Sequence, residues 1–508
     1  MLQLPDLRVF DNTQLVLSAV ACVGVVGVIA QAYLHKSKSG LPLPPSPPTW
    51  RLRGHFTPPR NPFLTVAGWI DEYGPLITIR SGTEKIVIIG RHSAAVDIME
   101  KQGALLADRP RFVAAGEMLG GGLGILFTST GDRLRRMRRA LHAHLQPKVA
   151  EEYQPLQMSH AKNTILNMLE DPYNFQNHVS TYAATVITKV AYGKTTPTVA
   201  TDSEARQALE HLRLLRTTIR PGAYLADSIP WLKYIPWYGQ ELKEGFEKNR
   251  RLYISQLNRV KQQMQSNVDI GPSFVKHMLE GVEVHGLTEL EMAFLAGALF
   301  TAAIDTYARL LMAAAMFPEE QAKVQAELDA VVGSHRAPTF ADEQSLPRLH
   351  AFISEALRWR PLMPGGVAHR TVKEVVWGNY CIPAGTTVFG SHWCISRDPD
   401  VFPDPHEFKP QRWIDDQGRV KDDLKFFVFG FGRRVCPGQH VATRSIFINS
   451  ALILWAFQLK LNSTKPPDDM GFMMGKSQPG TIDFKTRIPE TDLRRMMRSY
   501  PESPESEA

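Results

Sequence analysis

One apolar stretch near the start of the chain is long enough to cross a bilayer. It runs from Leu15 to Leu34, carries no charge, and has only Ser18 and Gln31 as strongly polar residues. About 20 residues that rise 1.5 Å each span the hydrocarbon core. The pattern predicts a transmembrane anchor at residues 15–34, after a lumenal N-terminus at residues 1–14. A cleaved signal peptide is the alternative, because Ala30-Gln31-Ala32 resembles a cleavage site.

The charges around this stretch indicate its orientation. Before it the chain carries Asp6, Arg8 and Asp11 rather than a basic cluster, whereas basic residues follow it: His35, Lys36, Lys38, Arg51 and Arg53. By the positive-inside rule, the body of the chain stays in the cytosol. We therefore expect a single-pass protein of the endoplasmic reticulum membrane.

A basic, proline-rich hinge is predicted at residues 35–50. Five prolines fall within residues 41–50, and such a run cannot continue a helix but favours a stiff, extended spacer. A proline-rich ligand for another domain is the other interpretation.

The body of the chain shows mainly helical patterns and a few β-rich runs. Strands are predicted at 76–80, 85–90, 375–380 and 386–391, and helices at 63–73, 94–101, 288–317, 318–332, from about 347, and at 441–457. Residues 140–332 are predominantly helical. Thr288 and Glu291 form a capping box that begins the long helix, and Pro318 ends it.

No internal repeat or linker divides residues 50–490. The fold class is therefore mainly α with a small β region (α+β), in one large domain at residues 51–490. A polar C-terminal tail is predicted at residues 491–508.

Composition narrows the classes of function. Hydrophobic residues make up 44% of the chain and charged residues 21%, as in a folded body with a large core. The net charge of +7 favours an acidic partner or an anionic membrane surface. The four cysteines form no CxxC pattern, which excludes a disulfide scaffold and a structural zinc site.

The most informative segment contains Cys436. Three glycines occur within residues 430–438, and Cys436 lies just before an apolar helix, where free N–H groups and the helix dipole stabilise a thiolate that can ligate iron. A buried structural cysteine in a glycine-rich turn is the alternative.

This segment resembles the haem-ligand signature of the cytochrome P-450 family of haem-thiolate monooxygenases. The pattern F-x-x-G-x-R-x-C-x-G is met at all its fixed positions, which are Phe429, Gly432, Arg434, Cys436 and Gly438. The resemblance implies the cytochrome P-450 fold, haem b as cofactor and Cys436 as the iron ligand. The N-terminal anchor and hinge resemble those of microsomal members, and the architecture resembles fungal ones.

Two further motifs occur in the family's order. Glu355 and Arg358, spaced i and i+3, match the family's E-x-x-R, and Arg412 lies in a segment similar to its P-x-R motif. Alone, such a pair is more often a surface salt bridge of little energetic weight. The resemblance implies that the three side chains form a buried charge network behind the haem.

The resemblance also implies cationic partners for the two haem propionates. These are Arg434, His369 and Arg138, although Leu134 stands where the family usually has tryptophan. Four other arginines of the same helix are expected to form a docking patch for an acidic reductase: Arg133, Arg135, Arg136 and Arg139. A solvated basic face is the simpler interpretation of these four.

Oxygen chemistry is expected on the long helix. Asp305 and Thr306 resemble the family's acid-threonine pair, and a hydroxyl beside a carboxylate can deliver protons. Ala303 and Tyr307 replace a glycine and a threonine of the family pattern.

Taken together, the sequence predicts an enzyme that inserts one oxygen atom from O2 into an apolar small molecule, in secondary metabolism or xenobiotic oxidation. Electrons are expected from NADPH through a separate NADPH-cytochrome reductase, because the chain shows no flavin or nucleotide module. A haem-thiolate isomerase or dehydratase that needs no reductase is one alternative, and a membrane-tethered haem-binding protein without turnover is another. Nucleic acid is not an expected partner.

Overall fold

The computed structural model describes residues 39–51, 54–82, 84–266, 271–302, 308–421, 424, 427–465, 470 and 481–500. The predicted anchor at residues 15–34 lies outside these ranges. Within them, no helix combines the length and the apolar character needed to cross a membrane.

Most of the described chain is helical. The helices are α1 (Pro62–Tyr73), α2 (His92–Ala95, continued by π-helical turns Val96–Lys101), α3 (Asp132–Leu145), α4 (Pro147–Glu152), α5 (Gln154–Glu170), α6 (Phe175–Tyr192), α7 (Ser203–Thr218), α8 (Gln240–Gln265), α9 (Phe274–Glu280), α10 (Val282–His285), α11 (Glu289–Ala302), α12 (Ala308–Met316), α13 (Pro318–Val331), α14 (Pro347–Trp359), α15 (His392–Ile395), α16 (Gln439–Ala456) and α17 (Glu490–Arg498). A further π-helical segment spans Val113–Leu119. The predicted helix at 288–317 is described as α11 and α12, with residues 303–307 outside the described ranges.

The predicted capping box begins α11. The Glu291 N–H donates to Thr288 Oγ1 over 3.3 Å, and Thr288 N donates to Glu291 Oε2 over 2.9 Å. The backbone donors at the start of this helix are therefore satisfied by its own sequence.

The strands are β1 (Leu76–Ser81), β2 (Glu84–Ile89), β3 (His369–Arg370), β4 (Val375–Trp377), β5 (Tyr380–Ile382), β6 (Thr387–Gly390), β7 (Phe457–Leu461) and β8 (Ile482–Thr486). Four of them form one sheet in the order β1-β2-β6-β3. Strand β2 is antiparallel to β1 and parallel to β6, with Val87 opposite Thr78 and Val388. The predicted strand at 375–380 is a hairpin, because the chain turns between Trp377 and Tyr380.

The proline-rich segment is extended but is not a free spacer. The carbonyls of Pro44 and Pro45 accept hydrogen bonds from the Thr78 hydroxyl and N–H over 2.9 and 2.7 Å. The carbonyl of Pro42 accepts one from Cys381 N over 2.9 Å. Residues 42–45 therefore form a strap from strand β5 of the hairpin to strand β1 of the four-stranded sheet, since proline can accept ladder hydrogen bonds but not donate them.

The C-terminal residues correct the prediction of a polar tail from residue 491. Residues 490–498 form helix α17, whose Leu493, Met496 and Met497 are buried in the same core as α5 and α16. Their spacing of three and four residues places them on one face of a helix. The many charges of this segment lie on the opposite face and make it polar in composition.

A buried carboxylate joins the motifs that were predicted to form a network. The Glu355 and Arg358 side chains are fully buried and paired by two bonds of 2.7 Å. Arg412 Nε lies 3.2 Å from Glu355 Oε1. Lys409 N and Trp413 Nε1 donate to the same carboxylate over 2.7 and 2.9 Å. One carboxylate thus fixes α14 against the segment 409–413.

The Arg358 guanidinium also bonds to backbone carbonyls outside this network. It donates to the carbonyls of Ser396 and Pro405 over 2.8 Å each and to that of Glu407 over 3.0 Å. The chain between α15 and residue 413 has little regular structure, so these bonds give it a defined path. That path leads into the segment that carries Cys436.

We predict that Arg358→Ala destabilises the fold by about 3–5 kcal/mol, because it leaves the Glu355 charge buried without its main partner. Urea unfolding measures the loss. Arg419→Ala is the matched control, since the Arg419 side chain is 71% exposed and pairs with nearby Asp415. A midpoint for Arg358→Ala that equals that of the control would contradict the prediction.

Candidate functional site

The turn that presents Cys436 is closed by backbone bonds and shaped by glycine. Cys436 N donates to Phe429 O over 2.8 Å. Gly430 and Gly432 have φ values of +88° and +46°, which side chains rarely adopt. A Cβ on Gly432 would also lie 2.7 Å from the carbonyl oxygen of Met99 in the π-helical turns. Both conformation and space therefore require glycine at position 432.

An aromatic contact and a hydrogen bond fix the turn that precedes Cys436. The Phe431 ring is buried and lies 4.6 Å from that of Phe427. Gly432 N donates to the Glu100 carboxylate over 2.7 Å. These contacts fix the turn before α16 begins, so the position of Cys436 does not depend on the helix alone.

The protonation of Cys436 differs from what its place near a helix start suggests. Burial raises the pKa of the Cys436 thiol, and this outweighs the opposing effects of the Gly438 N–H and of Arg138. Proximity to the start of α16 does not by itself keep a thiolate in the polypeptide. A thiol ligand loses its proton on binding a metal ion.

Two of the predicted propionate partners are half-buried arginines. Arg434 donates to the carbonyls of Ala107 and Thr128 over 2.5 and 2.7 Å, and burial lowers the pKa of Arg434 to about 10. Arg138 Nη1 lies 3.3 Å from Val435 O, and burial lowers its pKa as well. Both guanidinium groups therefore lie beside the Cys436 turn.

The third predicted partner, His369, is buried in strand β3. Its Nδ1 bonds to the carbonyl of Leu106 over 2.8 Å, which leaves Nε2 as the ring nitrogen available to another group. Burial, followed by the charge of Arg109, lowers the pKa of His369 to about 3. The imidazole is therefore neutral at physiological pH.

Arg109 belongs to the same cluster and was missed from the sequence. Its side chain is 4% exposed and donates to the carbonyls of Leu126 and Ala368. Burial and the neighbouring charge of Arg434 lower the pKa of Arg109 to about 9. Arg111, two residues later, is exposed and pairs with Glu117. No local pattern distinguishes the two arginines, because strand contacts far along the chain decide which is buried.

These residues fit an anionic cofactor. Arg109, Arg138 and Arg434 donate to backbone carbonyls, and within the described ranges none of the three forms an ion pair with a carboxylate. Among the described carboxylates, the charge of Asp108 acts on Arg109 and Arg434, which still leaves the cluster with an excess of positive charge. Such an excess is costly when it is buried. The two propionates of haem would supply a counter-charge, while Cys436 would ligate the iron.

The four arginines of the predicted docking patch differ in exposure and in their partners within the chain. Arg133 pairs with Glu291 at 2.7 Å, and Arg136 donates to Gly286 O over 2.8 Å. Arg135 and Arg139 are exposed, and Arg135 shares Asp132 with Arg136 at 3.4 and 3.2 Å. Arg135 and Arg139 are therefore the members of the four that are most accessible to a partner.

A cavity of about 860 Å³ lies between α3 and the Cys436 turn. Arg135 and Arg139 line it, as do Arg433 and His142, and it extends to Cys436. Its lining includes no aspartate or glutamate among the described residues. The surface nearest the cysteine on this side is thus strongly basic.

The predicted catalytic pair cannot be placed. Asp305 and Thr306 lie outside the described residues, as do Ala303 and Tyr307. Helix α11 ends at Ala302 and α12 begins at Ala308.

Comparison with known proteins identifies a family. The family model described as Cytochrome P450 matches residues 44–484. Cytochrome P450 monooxygenase 113 of Postia placenta is 45% identical over 486 residues, which cover 94% of this chain and 98% of that protein. Monooxygenase 64 of the same fungus is 45% identical over 494 residues, 96% of this chain and 99% of its own. Cytochrome P450 monooxygenase FrzL of Cladobotryum sp is 33% identical over 449 residues, 86% and 83% of the two chains.

We predict that Arg109→Gln lowers the haem content of the purified protein, because it removes a buried cation from the cluster. The measurement is the ratio of haem to protein. Arg111→Gln should keep full haem occupancy, since Arg111 is exposed. Cys436→Ser, which removes the thiolate, should instead lose the strongly red-shifted Soret band of the reduced carbonyl complex. Equal haem content in both arginine variants would exclude Arg109 from the site.

Proposed function

The chain belongs to the cytochrome P450 family, and we propose that this haem-thiolate monooxygenase inserts one oxygen atom of O2 into an apolar small molecule, with electrons from NADPH supplied by a separate reductase. The second oxygen atom leaves as water, with two electrons and two protons consumed. Haem with a thiolate ligand supplies the activation of dioxygen. The observation that carries the proposal is the basic surface next to Cys436, which suits an acidic electron donor.

On that surface we place the reductase contact at Arg135, Arg139 and Arg433. These side chains line the cavity that extends to Cys436, and no carboxylate among the described residues lines it with them. Complementary charge speeds the encounter of two proteins and orients them. Arg133 and Arg136 are engaged within the chain and do not belong to this contact.

An apolar substrate is supported by the segment after the π-helical turn at 113–119. The Phe112 and Phe127 rings lie 5.0 Å apart, and Leu123 and Ile125 pack on the core that contains α11. Segment 120–127 and Pro364–Val367 match positions where the family contacts its substrates. A site lined mainly by apolar groups favours ligands with few charges.

For proton supply we propose Thr306 and Asp305. The Thr306 hydroxyl donates protons where the oxygen is reduced, and the Asp305 carboxylate replenishes them from solvent. A positioned proton donor is typically worth about 10²–10⁴-fold in rate. The neighbouring Ala303 and Tyr307 depart from the family pattern, so this role is tested directly.

We predict that Thr306→Ala lowers the amount of product formed per NADPH. Without protons delivered in time, the reduced dioxygen leaves as hydrogen peroxide, and the electrons from NADPH yield no product. Untargeted metabolite profiling of cells with the enzyme and a reductase identifies the product. Product, NADPH and peroxide are then measured with microsomes. Thr306→Ser keeps the hydroxyl and should restore coupling. Equal product per NADPH in wild type and Thr306→Ala would exclude the threonine, and turnover without NADPH would favour an isomerase or dehydratase.

For localisation we propose attachment to the endoplasmic reticulum membrane through residues 15–34, with the catalytic domain in the cytosol. Exposed aromatic residues between α7 and α8 support contact with a bilayer: Trp231, Tyr234 and Trp237 are 61%, 75% and 74% exposed. Tryptophan and tyrosine favour the boundary between lipid and water.

We predict that Asn462 carries no sugar in the native host, because a cytosolic domain never meets the glycosylation machinery. Asn462-Ser463-Thr464 is an acceptor sequence, and Ser463 and Thr464 are exposed. Glycosidase treatment followed by gel mobility tests this. A version with a cleaved signal peptide in place of residues 1–34 is the control and should gain sugar. Sugar on the native protein would reverse the orientation.

A further inference from the structure

One arginine of α3 joins three separate parts of the site. Arg133 Nε donates to Glu291 Oε1 over 2.7 Å, and its Nη1 donates to the carbonyl of Gly122 over 2.8 Å. The side chains of Arg133 and Glu291 are only 34% and 12% exposed. A guanidinium fork can hold two acceptors in fixed directions, which a single ammonium group does less well. Arg133 thus connects α3, the start of α11 and the glycine-rich loop after residue 119.

The partner carboxylate serves two functions at once. Glu291 Oε1 accepts from Arg133, while Oε2 accepts from the N–H and the hydroxyl of Thr288 over 2.9 and 3.1 Å. Although burial opposes it, the bonds from Thr288 and Arg133 hold the pKa of Glu291 below its ordinary value. The capping carboxylate of α11 is therefore ionised and held at a defined distance from α3.

The loop that Arg133 holds is also held at its other end. Arg109 donates to Leu126 O and Arg434 donates to Thr128 O, so both bonds come from the basic cluster. Between Gly122 and these residues, Leu123 and Ile125 pack on the core that contains α11. The loop at 122–128 therefore bridges the basic cluster and the first turn of α11.

The same loop begins with two glycines. Gly121 and Gly122 have φ values of +58° and +69°, which other residues rarely adopt. A Cβ on Gly121 would lie 2.2 Å from the Phe246 ring, and Gly122 N donates to Gly116 O over 2.7 Å. The Arg133 bond to the Gly122 carbonyl therefore adds to contacts that already define the backbone at this point.

We propose that Arg133 is a positioning residue for the ligand space: through Glu291 and Gly122 it holds loop 122–128 against α11 and so sets the room for a bulky ligand beside the haem. This inference rests on the proposed function in two respects: it takes segment 120–127 as a substrate contact, and it leaves the reductase contact to other arginines of α3. It removes Arg133 from the docking patch and gives it a role in ligand selection.

Two substitutions isolate this bridge. Arg133→Gln removes the charge and the fork. Glu291→Gln retains the capping box, because glutamine can occupy the same capping position, but removes the charge that Arg133 faces. Arg139→Gln is the matched control on the same helix, since it is exposed and belongs to the proposed reductase contact. Haem content is measured first for each variant.

The probes are imidazole and 4-phenylimidazole, titrated by the change in the haem spectrum. Imidazole is small and should bind each variant equally. For 4-phenylimidazole, we expect Arg133→Gln and Glu291→Gln to change the dissociation constant about three- to tenfold relative to imidazole. The double variant should show no larger change than Arg133→Gln alone, because both act through one bridge. Arg139→Gln should leave the ratio of the two constants unchanged.

Hydrogen exchange gives an independent readout. Amide exchange in the peptide that covers residues 116–127 should rise in Arg133→Gln and stay at the wild-type rate in Arg139→Gln. The reductase concentration needed for half-maximal NADPH use should rise in Arg139→Gln and stay unchanged in Arg133→Gln.

The two proposals fail separately. An unchanged ratio of azole affinities in both Arg133→Gln and Glu291→Gln overturns the positioning role. Additive effects in the double variant overturn the claim that Arg133 acts through Glu291. A normal reductase requirement in Arg139→Gln overturns the docking proposal and leaves the positioning role to be judged by the azole ratio.

Discussion

The structure depends on one carboxylate that water does not reach. Glu355 accepts bonds from two guanidinium groups, an indole and a backbone N–H, and the Arg358 side chain beside it is fully buried. A charge in such a place is tolerated only when its partners are fixed. Those partners come from α14 and from a segment with little regular structure. The demand for charge compensation therefore orders a stretch that neither helix nor sheet would order.

The candidate site around Cys436 contains buried positive charge instead of a buried carboxylate. Around the Cys436 turn, Arg109, Arg138 and Arg434 are bonded to carbonyl groups rather than to carboxylates. Glu355 has two arginine partners at bonding distance, whereas Arg109 and Arg434 have only the more distant charge of Asp108 among the described carboxylates, and the haem propionates would add the negative charge that this cluster lacks. Any ligand that binds only the folded state stabilises it. Haem therefore contributes to the stability of the fold as well as to its chemistry.

Sequence reasoning worked best where a short motif is sufficient to form the structural feature. The capping box of α11 follows from the spacing of Thr288 and Glu291, whereas the Glu355 network and the glycine at 432 were expected from the resemblance of their motifs to those of the family. It failed where a distant part of the chain decides the outcome. Arg109 and Arg111 are alike in sequence but differ in burial, and the arginines of α3 differ because Glu291 and Gly286 engage two of them. The apolar face of the helix at residues 490–498 was missed because charged residues dominate the composition of this segment.

The bonded strap at Pro42–Pro45 limits how far the catalytic domain can stand from its proposed anchor. Only seven residues separate Leu34 from Pro42, whose carbonyl is already bonded to strand β5. Even fully extended, such a length of chain reaches under about 30 Å. With that anchor in the bilayer, a tether this short would keep the domain in a thin layer beside the membrane, where a membrane-bound electron donor would be met at high effective concentration. Such a tether would confine the encounter between the domain and its electron donor to two dimensions along the membrane.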